Sequence, residues 1–594
     1  MMLTSSLLAE FNFGQFPPGI IMMLGALVLA VMNKRVAPIA AVVLSALSLV
    51  HFCMIPMGTH GEVELFGSTL AITYLDKISF LFGVVFHLAA IMASIYALHV
   101  QDTKQHVSAI LYAGAAIGAA CAGDLITLFV FWELTAVSSV FLVWASGTQR
   151  AYHAGMRYLI IQVTSGVLLL SGAILRYVET GSLQFTNMVD QGGGYSNGIF
   201  SSDGLLAGLS PGSSLILLAF GIKCAFPLLH NWLQDSYPKA TPTGTVFLSA
   251  FTTKLAVYSL IRGFAGFEPL IVIGCVMTLF PIVFAVIEND LRRVLAYSLN
   301  NQLGFMVVGI GIGSELAING TVAHAFCHII YKSLLFMSMG AVLLRVGTTK
   351  ATELGGLHKS MPLTTVFCII GAAAISGFPL LSGFISKSMI ISAAGEEHML
   401  WVWIVLLIAS AGVMEHSGIK IPFFAFFAHD SGKRVKEAPI NMLVAMAIAS
   451  FFCIGLGIAY PLLYRFLPFD IDYHPYTVTH VVTQLQLLLF AALAFVVLMK
   501  TGLYPDEQRA TILDTDWIYR RLFPKVIGGV RTAYTAVDGH LRNDFVMVLR
   551  GVISGLRNGF NETGLMGRAW STSTMTFWAT LMLAVYLVMY YLNQ

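Results

Sequence analysis

GIKCAFPLLHNWL, residues 221–233, reads as the middle of a buried apolar helix holding two residues such a helix resists: Lys223 and, four positions on, Pro227. The tetrapeptide FPLL returns at 378–381, 152 residues later, with Lys387 shortly after Pro379. Proline removes a backbone donor and clashes with the preceding turn, so each copy predicts a broken helix. A break inside an apolar medium bares carbonyls and amides, which is tolerated only where protein or water surrounds them. Corresponding breaks in two halves of a chain are the sequence mark of a transport site.

The rest of the chain supplies that medium. Of 594 residues, 57% are hydrophobic and only 11% are charged, and the mean hydropathy is +0.80. A soluble protein of this length carries far more charge. About 20 apolar residues cross a bilayer, and runs of that kind number about sixteen here. They centre on 18–33, 36–56, 78–98, 107–122, 124–146, 155–176, 208–229, 243–263, 267–287, 293–313, 318–345, 363–394, 399–416, 440–462, 481–500 and 571–592. The fold expected is an all-α polytopic membrane protein. Its first run has neither the charged start nor the cleavage site of a signal peptide and reads as a retained helix.

Alternate loops carry most of the basic residues: Lys34, Arg35, Lys104, Arg150, Arg157, Lys239, Arg292, Arg293, Arg345, Lys350, Lys359, Lys420, Lys433, Arg434 and Lys436. The opposite loops hold Lys77, Arg176, Arg262 and Arg465. By the positive-inside rule both termini lie outside, in a bacterial inner membrane. Residues 180–212, rich in Gly and Ser, read as an outer loop. Residues 501–570 read as an inner segment. In it Tyr534, Val537, Leu541, Phe545, Val548, Leu549, Val552 and Leu556 form an apolar stripe among Arg531, Asp538, Arg542, Arg550 and Arg557. That pattern describes an amphipathic helix lying along a membrane or neighbouring helices.

Charges inside apolar runs are functional candidates, because each costs several kcal/mol there. Glu133 lies nine residues past Asp124 in DLITLFVFWELTAVSSV, about 13 Å deeper along the axis. Lys254 lies eleven residues into its run. His324, His328 and Lys332, in HAFCHIIYKSLLF, are spaced by four and share one helix face. Lys387 sits in LSGFISKSMI, and Glu415 and His416 end the thirteenth run. A lysine in such a place keeps its proton while a carboxylate is near and releases it when the pair parts or another proton arrives. Lys and His spaced for water bridges across the midplane thus suit a proton relay. The alternative is that the charges only pair and hold helices together.

Other chemistries find little in the sequence. The seven cysteines, Cys53, Cys121, Cys224, Cys275, Cys327, Cys368 and Cys453, lie in or beside apolar runs and form no CxxC, which reads as buried, inert thiols. No GxSxG elbow or HExxH helix occurs. His324 and His328 have metal-ligand spacing but no carboxylate or cysteine beside them. No cluster-binding, flavin or nucleotide motif is present, and no basic aromatic patch suits nucleic acid. No cofactor or metal is expected.

With these residues in view, the chain resembles the antiporter-like membrane subunits shared by respiratory complex I and the Mrp multisubunit cation/proton antiporters. The motifs are FVFWELTAVSS, IKCAFPLLHNWLQDSYPKATPTGTVFLSAFTTKLAVY, NDLRRVLAYSLNNQLGFM, HAFCHIIYKSLLF, ELGGLHKSMPLT and SGFPLLSGFISKSMI, spread over about residues 70–465. The resemblance implies two inverted five-helix repeats with broken seventh and twelfth helices. It puts the family's fifth-helix glutamate on Glu133, its seventh-helix lysine on Lys223 and its eighth-helix lysine on Lys254. The eleventh-helix histidine falls on His324 or His328, and the twelfth-helix lysine on Lys387. TTKLAVYSLIR looks most like the Mrp D subunit. Two features depart from that pattern: the chain runs on past its usual helices with an amphipathic arm, as in the terminal pumping subunit of complex I, and Glu415 and His416 stand where uncharged residues are expected.

The divisions expected are N-terminal helices at 1–107, a first repeat at 108–263, a second at 264–416, further helices at 417–500, the amphipathic segment at 501–570 and a last helix at 571–594. The function expected is a proton-translocating subunit of a multisubunit Na+ or K+/proton antiporter, working with other membrane subunits. The alternatives are a proton-pumping subunit of a quinone reductase or membrane hydrogenase, or an energy-coupling subunit for inorganic-carbon uptake.

Overall fold

The computed structural model describes residues 16–65, 67–189, 208–505, 508, 512–567 and 569–593. Most of the expected loop at 180–212 therefore lies outside the described residues. Asp and Ser/Thr side chains start the helices: Asp76, Asp102, Asp124, Thr148, Ser210 and Asp290 each accept a backbone N–H of the first turn.

The chain divides into two units, 1–514 and 515–594. In the first, the helices are α1 (Ile20–Val31), α2 (Ala37–Met54), α3 (Lys77–Tyr96), α4 (Thr103–Ala120), α5 (Leu125–Trp144) and α6 (Gln149–Thr180). Then come α7a (Pro211–Cys224), α7b (Asn231–Ser236), α8 (Pro242–Phe264), α9 (Pro269–Ile287), α10 (Leu291–Ile312) and α11 (Glu315–Val346). The unit continues with α12a (Pro362–Ser376), α12b (Ser382–Glu396), α13 (Leu400–Phe427), α14 (Ile440–Ile458) and α15 (Val478–Thr501). The second unit holds α16 (Phe523–Phe560) and α17 (Thr572–Leu592). A helix stands at each run read from the sequence. Among the described residues, eleven helices are long and apolar enough to cross a membrane, and α1, α7a and α12a are shorter apolar helices. No side chain of this 38-residue α16 is buried, and the expected stripe from Tyr534 to Leu556 stays exposed on it.

Two pairs of places in the first unit repeat one hydrogen-bond pattern. At the start of α5, Leu125 N–H donates to the Leu183 carbonyl at 2.9 Å and Phe185 N–H to Gly123 at 3.0 Å. At the start of α10, Leu291 N–H donates to Thr349 at 2.9 Å and Ala351 N–H to Asn289 at 2.8 Å. The second pair is the two FPLL segments.

The structure departs from the sequence reading in several places. A two-stranded antiparallel hairpin, β1 (Gly58–Leu65) and β2 (Ser68–Leu75), interrupts the all-α pattern. It lies over the α4–α5 link, where Tyr74 N–H donates to Cys121 at 2.7 Å. The thirteenth run does not end at Glu415 and His416: the helix continues to Phe427 through wide turns at Met414–Ile419 and Phe423–Phe427. Lys420 is therefore no loop residue. It is fully buried and donates to the carbonyls of Val286 at 2.5 Å and Glu288 at 2.8 Å. Arg292 is buried too, donating to the Pro238 carbonyl at 2.9 Å and that of Ala240 at 3.1 Å, so it clamps the chain between α7b and α8. Cys53 is exposed rather than buried.

Candidate functional site

The two FPLL segments share one backbone conformation. Ala225 and Gly377, just before each copy, are left-handed, with φ of 62° and 77°. So are the third residues, Leu228 at 70° and Leu380 at 71°. Phe226 N–H reaches back to the Gly221 carbonyl at 2.9 Å, and Phe378 N–H to Ala373 at 3.0 Å. Leu229 N–H donates to Phe226 at 2.9 Å, and Leu381 N–H to Phe378 at 3.2 Å. Pro227 and Pro379 cannot donate, so the helix stops and turns within four residues. A left-handed leucine is strained, which only a tightly determined site sustains.

Around these breaks lie the lysines. Lys223 is fully buried and donates to the Trp132 carbonyl at 2.7 Å and the Thr135 hydroxyl at 2.9 Å, its ammonium 4.1 Å from the Trp132 ring centroid. It rests on the turn of α5 that carries Glu133. Oε1 of Glu133 is buried and, among the described residues, has no hydrogen-bond partner. The carboxylate fits because α6 has Gly166 opposite: a Cβ there would overlap Oε1.

Lys254 and Lys387 each hold a carbonyl freed by a break. In α8 the helix is interrupted at Phe251, whose φ and ψ are −103° and −66°. Tyr112 accepts the Thr252 N–H at 2.9 Å, and the Lys254 ammonium donates to the Ser249 carbonyl at 2.5 Å. This break has no proline, and the sequence reading missed it. In α12 the Lys387 ammonium donates to the Ile375 carbonyl at 2.9 Å and lies 5.3 Å from the Phe305 ring.

Between them runs α11. His324 Nδ1 is 3.0 Å from the Ser386 hydroxyl, and its Nε2 is 3.4 Å from the Tyr331 hydroxyl. Tyr331 donates to Gln302 at 3.1 Å, and Gln302 to Asn301 at 2.7 Å. His328 and Lys332 are fully buried; among the described residues neither His328 nitrogen nor the Lys332 ammonium has a hydrogen-bond partner. His328 lies within electrostatic range of Lys254, Lys332, His324 and Lys387. The structure thus gathers Lys254, His324, His328, Lys332 and Lys387 into one polar line, with Glu133 and Lys223 as a pair of their own. His416, fully buried, binds the Gly412 carbonyl through Nδ1 at 2.5 Å and is in range of Lys332 and Lys387. Glu415 faces Tyr504 and Lys420 instead. Among the described residues no group of three His, Cys, Asp or Glu could hold a metal ion.

One cluster escaped the sequence reading. His230, directly after the first break, is 3.2 Å from Asp514, whose carboxylate also accepts from Tyr297 at 2.7 Å and from Asn231. All are buried or nearly so. Asp514 lies in a polar stretch between α15 and α16, where nothing in the local pattern marks it as part of the core.

The family described as NADH:quinone oxidoreductase/Mrp antiporter, TM, matches residues 122–413. The chain is 32% identical over 351 residues to the D subunit of the Na(+)/H(+) antiporter of Alkalihalophilus pseudofirmus, covering 56% of this chain and 69% of that one. It is 30% identical over 427 residues to the A subunit from the same organism, covering 65% of this chain and spanning only 52% of that relative's length. Its fold matches a chain of the Mrp complex from Dietzia sp. DQ12-45-1b with a TM-score of 0.67 at 20% identity, covering 77% of this chain and 96% of the other. The chain is a multi-pass membrane protein and belongs to the antiporter-like membrane subunits of the NADH:quinone oxidoreductase/Mrp antiporter family.

Proposed function

We propose that the chain is the proton-translocating subunit of a multisubunit complex that exchanges Na+ or K+ for protons across a bacterial inner membrane. The observation that carries this reading is the buried line of His328, Lys332, Lys254 and Lys387, with Glu133 beside Lys223. Unpaired charge at such depth is expensive and is retained where it works. A group without a fixed partner is free to take or give a proton when a neighbour changes state. The lysines at the breaks add reach, since a broken helix flexes and admits water where an intact one does not.

In this reading Glu133 and Lys223 exchange a proton by closing and parting. His328 and Lys332 pass it along α11, and Lys387 delivers it at the second break. His324 orients the line through Ser386 and Tyr331. The matching hydrogen bonds at the starts of α5 and α10, and at both FPLL segments, support two inverted repeats, 108–263 and 264–416, each with a half-path. Exposed Lys34, Arg35, Lys104, Arg150, Lys350 and Lys359 support both termini outside and an inner amphipathic segment at 501–570. The cation named for the relatives, and the other subunits of such a complex, come to this chain as part of the same proposal.

The test is to express the whole operon in an antiporter-deficient bacterium and follow proton flux in everted vesicles as sodium or potassium is added. Cation-driven flux in wild type, lost in Lys223→Ala, supports the reading; unchanged flux in the variant makes Lys223 structural. A second reading, in which the chain serves a redox-driven proton pump, is favoured by the family's quinone oxidoreductase members. It predicts no cation response in wild type, and neighbouring genes for iron–sulfur proteins rather than small antiporter subunits.

A further inference from the structure

The second break opens into a cavity of about 610 Å³ between α12, α13 and α15. Lys387, Ser388, Ser392, Tyr473, His480 and Gln484 line its polar side. Among its described lining residues there is no carboxylate. Of the α15 residues at the cavity, Thr477 just before the helix, then His480, Gln484 and Leu487, recur at helical spacing along one face, with Thr479, Thr483, Gln486 and Phe490 beside them. Gln484 reaches into the break itself: its amide donates to the carbonyl of Ser376, the last residue of α12a, at 3.3 Å. The His480 ring lies 5.3 Å from that of Phe384 on α12b, and Ser392 is 3.2 Å from the Tyr473 hydroxyl.

The outer end differs in charge. Tyr473 and His474 are shared with a neighbouring hollow of about 510 Å³ that Arg465, Asp470 and Asp472 also line. Asp472 is 93% exposed and 3.1 Å from His474, and Asp470 is 97% exposed. Lys77, 3.8 Å from Asp470, and Arg465 offset these carboxylates, so the mouth is charged and polar without a net pull on metal cations. The interior then offers a lysine, imidazole, hydroxyls and an amide, and no anionic oxygen among the described residues. A monovalent metal ion would have to shed water there without a carboxylate to replace it, beside the Lys387 ammonium. A proton needs only hydroxyl, imidazole and water to move along, and although Phe384, Trp403, Leu407 and Phe490 make the other walls apolar, the side bearing Lys387, Ser392, Tyr473, His480 and Gln484 offers water the partners it needs.

We propose that α15 walls a hydrated branch joining Lys387 to the surface at the 470–477 loop, and that this branch conducts protons and excludes the metal cation. The proton moves along the water between the mouth and Lys387, His480 lines that water without carrying the proton itself, and Gln484 is a positioning residue that holds the freed end of α12a. The proposal rests on the reading of Lys387 as part of the proton path. It goes beyond it in giving α15 a place in that path.

The experiment uses the intact complex in vesicles, in a Cys53→Ser background because Cys53 is exposed. His480→Cys and, as control, Val482→Cys on the same helix but off the cavity, are treated with a membrane-impermeant cationic methanethiosulfonate. The expected result is labelling of the His480→Cys variant from the face bearing the 470–477 loop, with loss of most of the proton flux. Val482→Cys is expected to keep its flux, and saturating sodium or potassium is expected not to slow labelling. Lys387→Ala is measured alongside. If it abolishes flux while the His480→Cys variant stays unlabelled or loses nothing on labelling, the branch is wrong and the relay stands. Equal loss in Val482→Cys also overturns the branch, and protection by sodium or potassium overturns the exclusion of the cation. If Lys387→Ala keeps full flux, the relay reading itself falls.

Discussion

The two FPLL breaks have the same backbone and opposite surroundings. At the first, the lysine precedes the break, and the six-residue α7b after it is pinned by His230, Asn231 and Tyr297 to Asp514. At the second, the lysine comes after the break on the fifteen-residue α12b, and the break opens into a cavity instead of a latch. The position matching Lys223 in the second copy is Ile375, whose carbonyl holds the Lys387 ammonium. The position matching Lys387 in the first copy is Asp235, paired with Arg157 at 2.6 Å and with Lys239. One local sequence therefore sets the shape of a break, and residues far along the chain decide whether it is closed or open.

The strongest way to break this contrast is to crowd the second break alone. A Cβ on Gly457 of α14 would overlap the Leu380 carbonyl oxygen, and one on Gly383 would overlap that of Ala374. Both neighbours are backbone and cannot swing away. Gly457→Ala and Gly383→Ala should each cost about 1–3 kcal/mol, seen as a lower melting temperature of the purified complex. A melting temperature equal to wild type would mean that the second break is looser than its geometry.

Asp514→Asn addresses the first break alone. It keeps the shape but weakens the bonds to His230 and Tyr297, and should cost about 1–2 kcal/mol. Hydrogen exchange should rise at 225–236 and stay unchanged at 377–390; a rise at both would deny that the latch is local. Leu228→Gly and Leu380→Gly sharpen the comparison in the other direction. Each relieves a left-handed side chain, by about 1 kcal/mol before the entropy cost of glycine. Equal shifts in melting temperature are expected, because the two conformations are equal. The smallest effect concerns the surface loop after α13. There Arg434 and then Lys359 hold the Asp430 carboxyl well below the usual carboxylate range. A depressed carboxyl adds stability that is present above its unfolded value and lost as pH falls through its folded one. Asp430→Asn should flatten the acid limb of the melting curve slightly, since the group is exposed and screened.

Much of this was legible in the sequence because lipid imposes a simple rule: apolar length for spans, proline for breaks, and charge in an apolar run for function. Glu133, Lys223, Lys254, His324, His328, Lys332 and Lys387 were singled out that way as candidates, and the structure buries six of them and half-buries Glu133. The misses arise from the terms of the same rule. The α8 break has no proline; it is held by Tyr112 from another helix, which no local pattern displays. Lys420 looked like a loop charge because the apolar run was read as ending at His416, whereas the helix goes on to Phe427, and Arg292 looked like one because it stands at the start of α10, where a long side chain turns inward to bare carbonyls as readily as outward to water. The hairpin at 58–75 is short, and only a register of pairs reveals it. Asp514 joins the core from a stretch whose composition is that of a linker.

The central claim is that both breaks lie on one proton path, in series. The direct measurement is proton flux through the intact complex in everted vesicles for Lys223→Ala, Lys387→Ala and the double variant, with assembly checked for each. A series path predicts that each single variant falls below about a tenth of wild-type flux, a barrier increase above about 1.4 kcal/mol, and that the double variant falls no further. Two single variants that each keep about half the flux, with loss only in the double, would contradict it and make the breaks two separate paths.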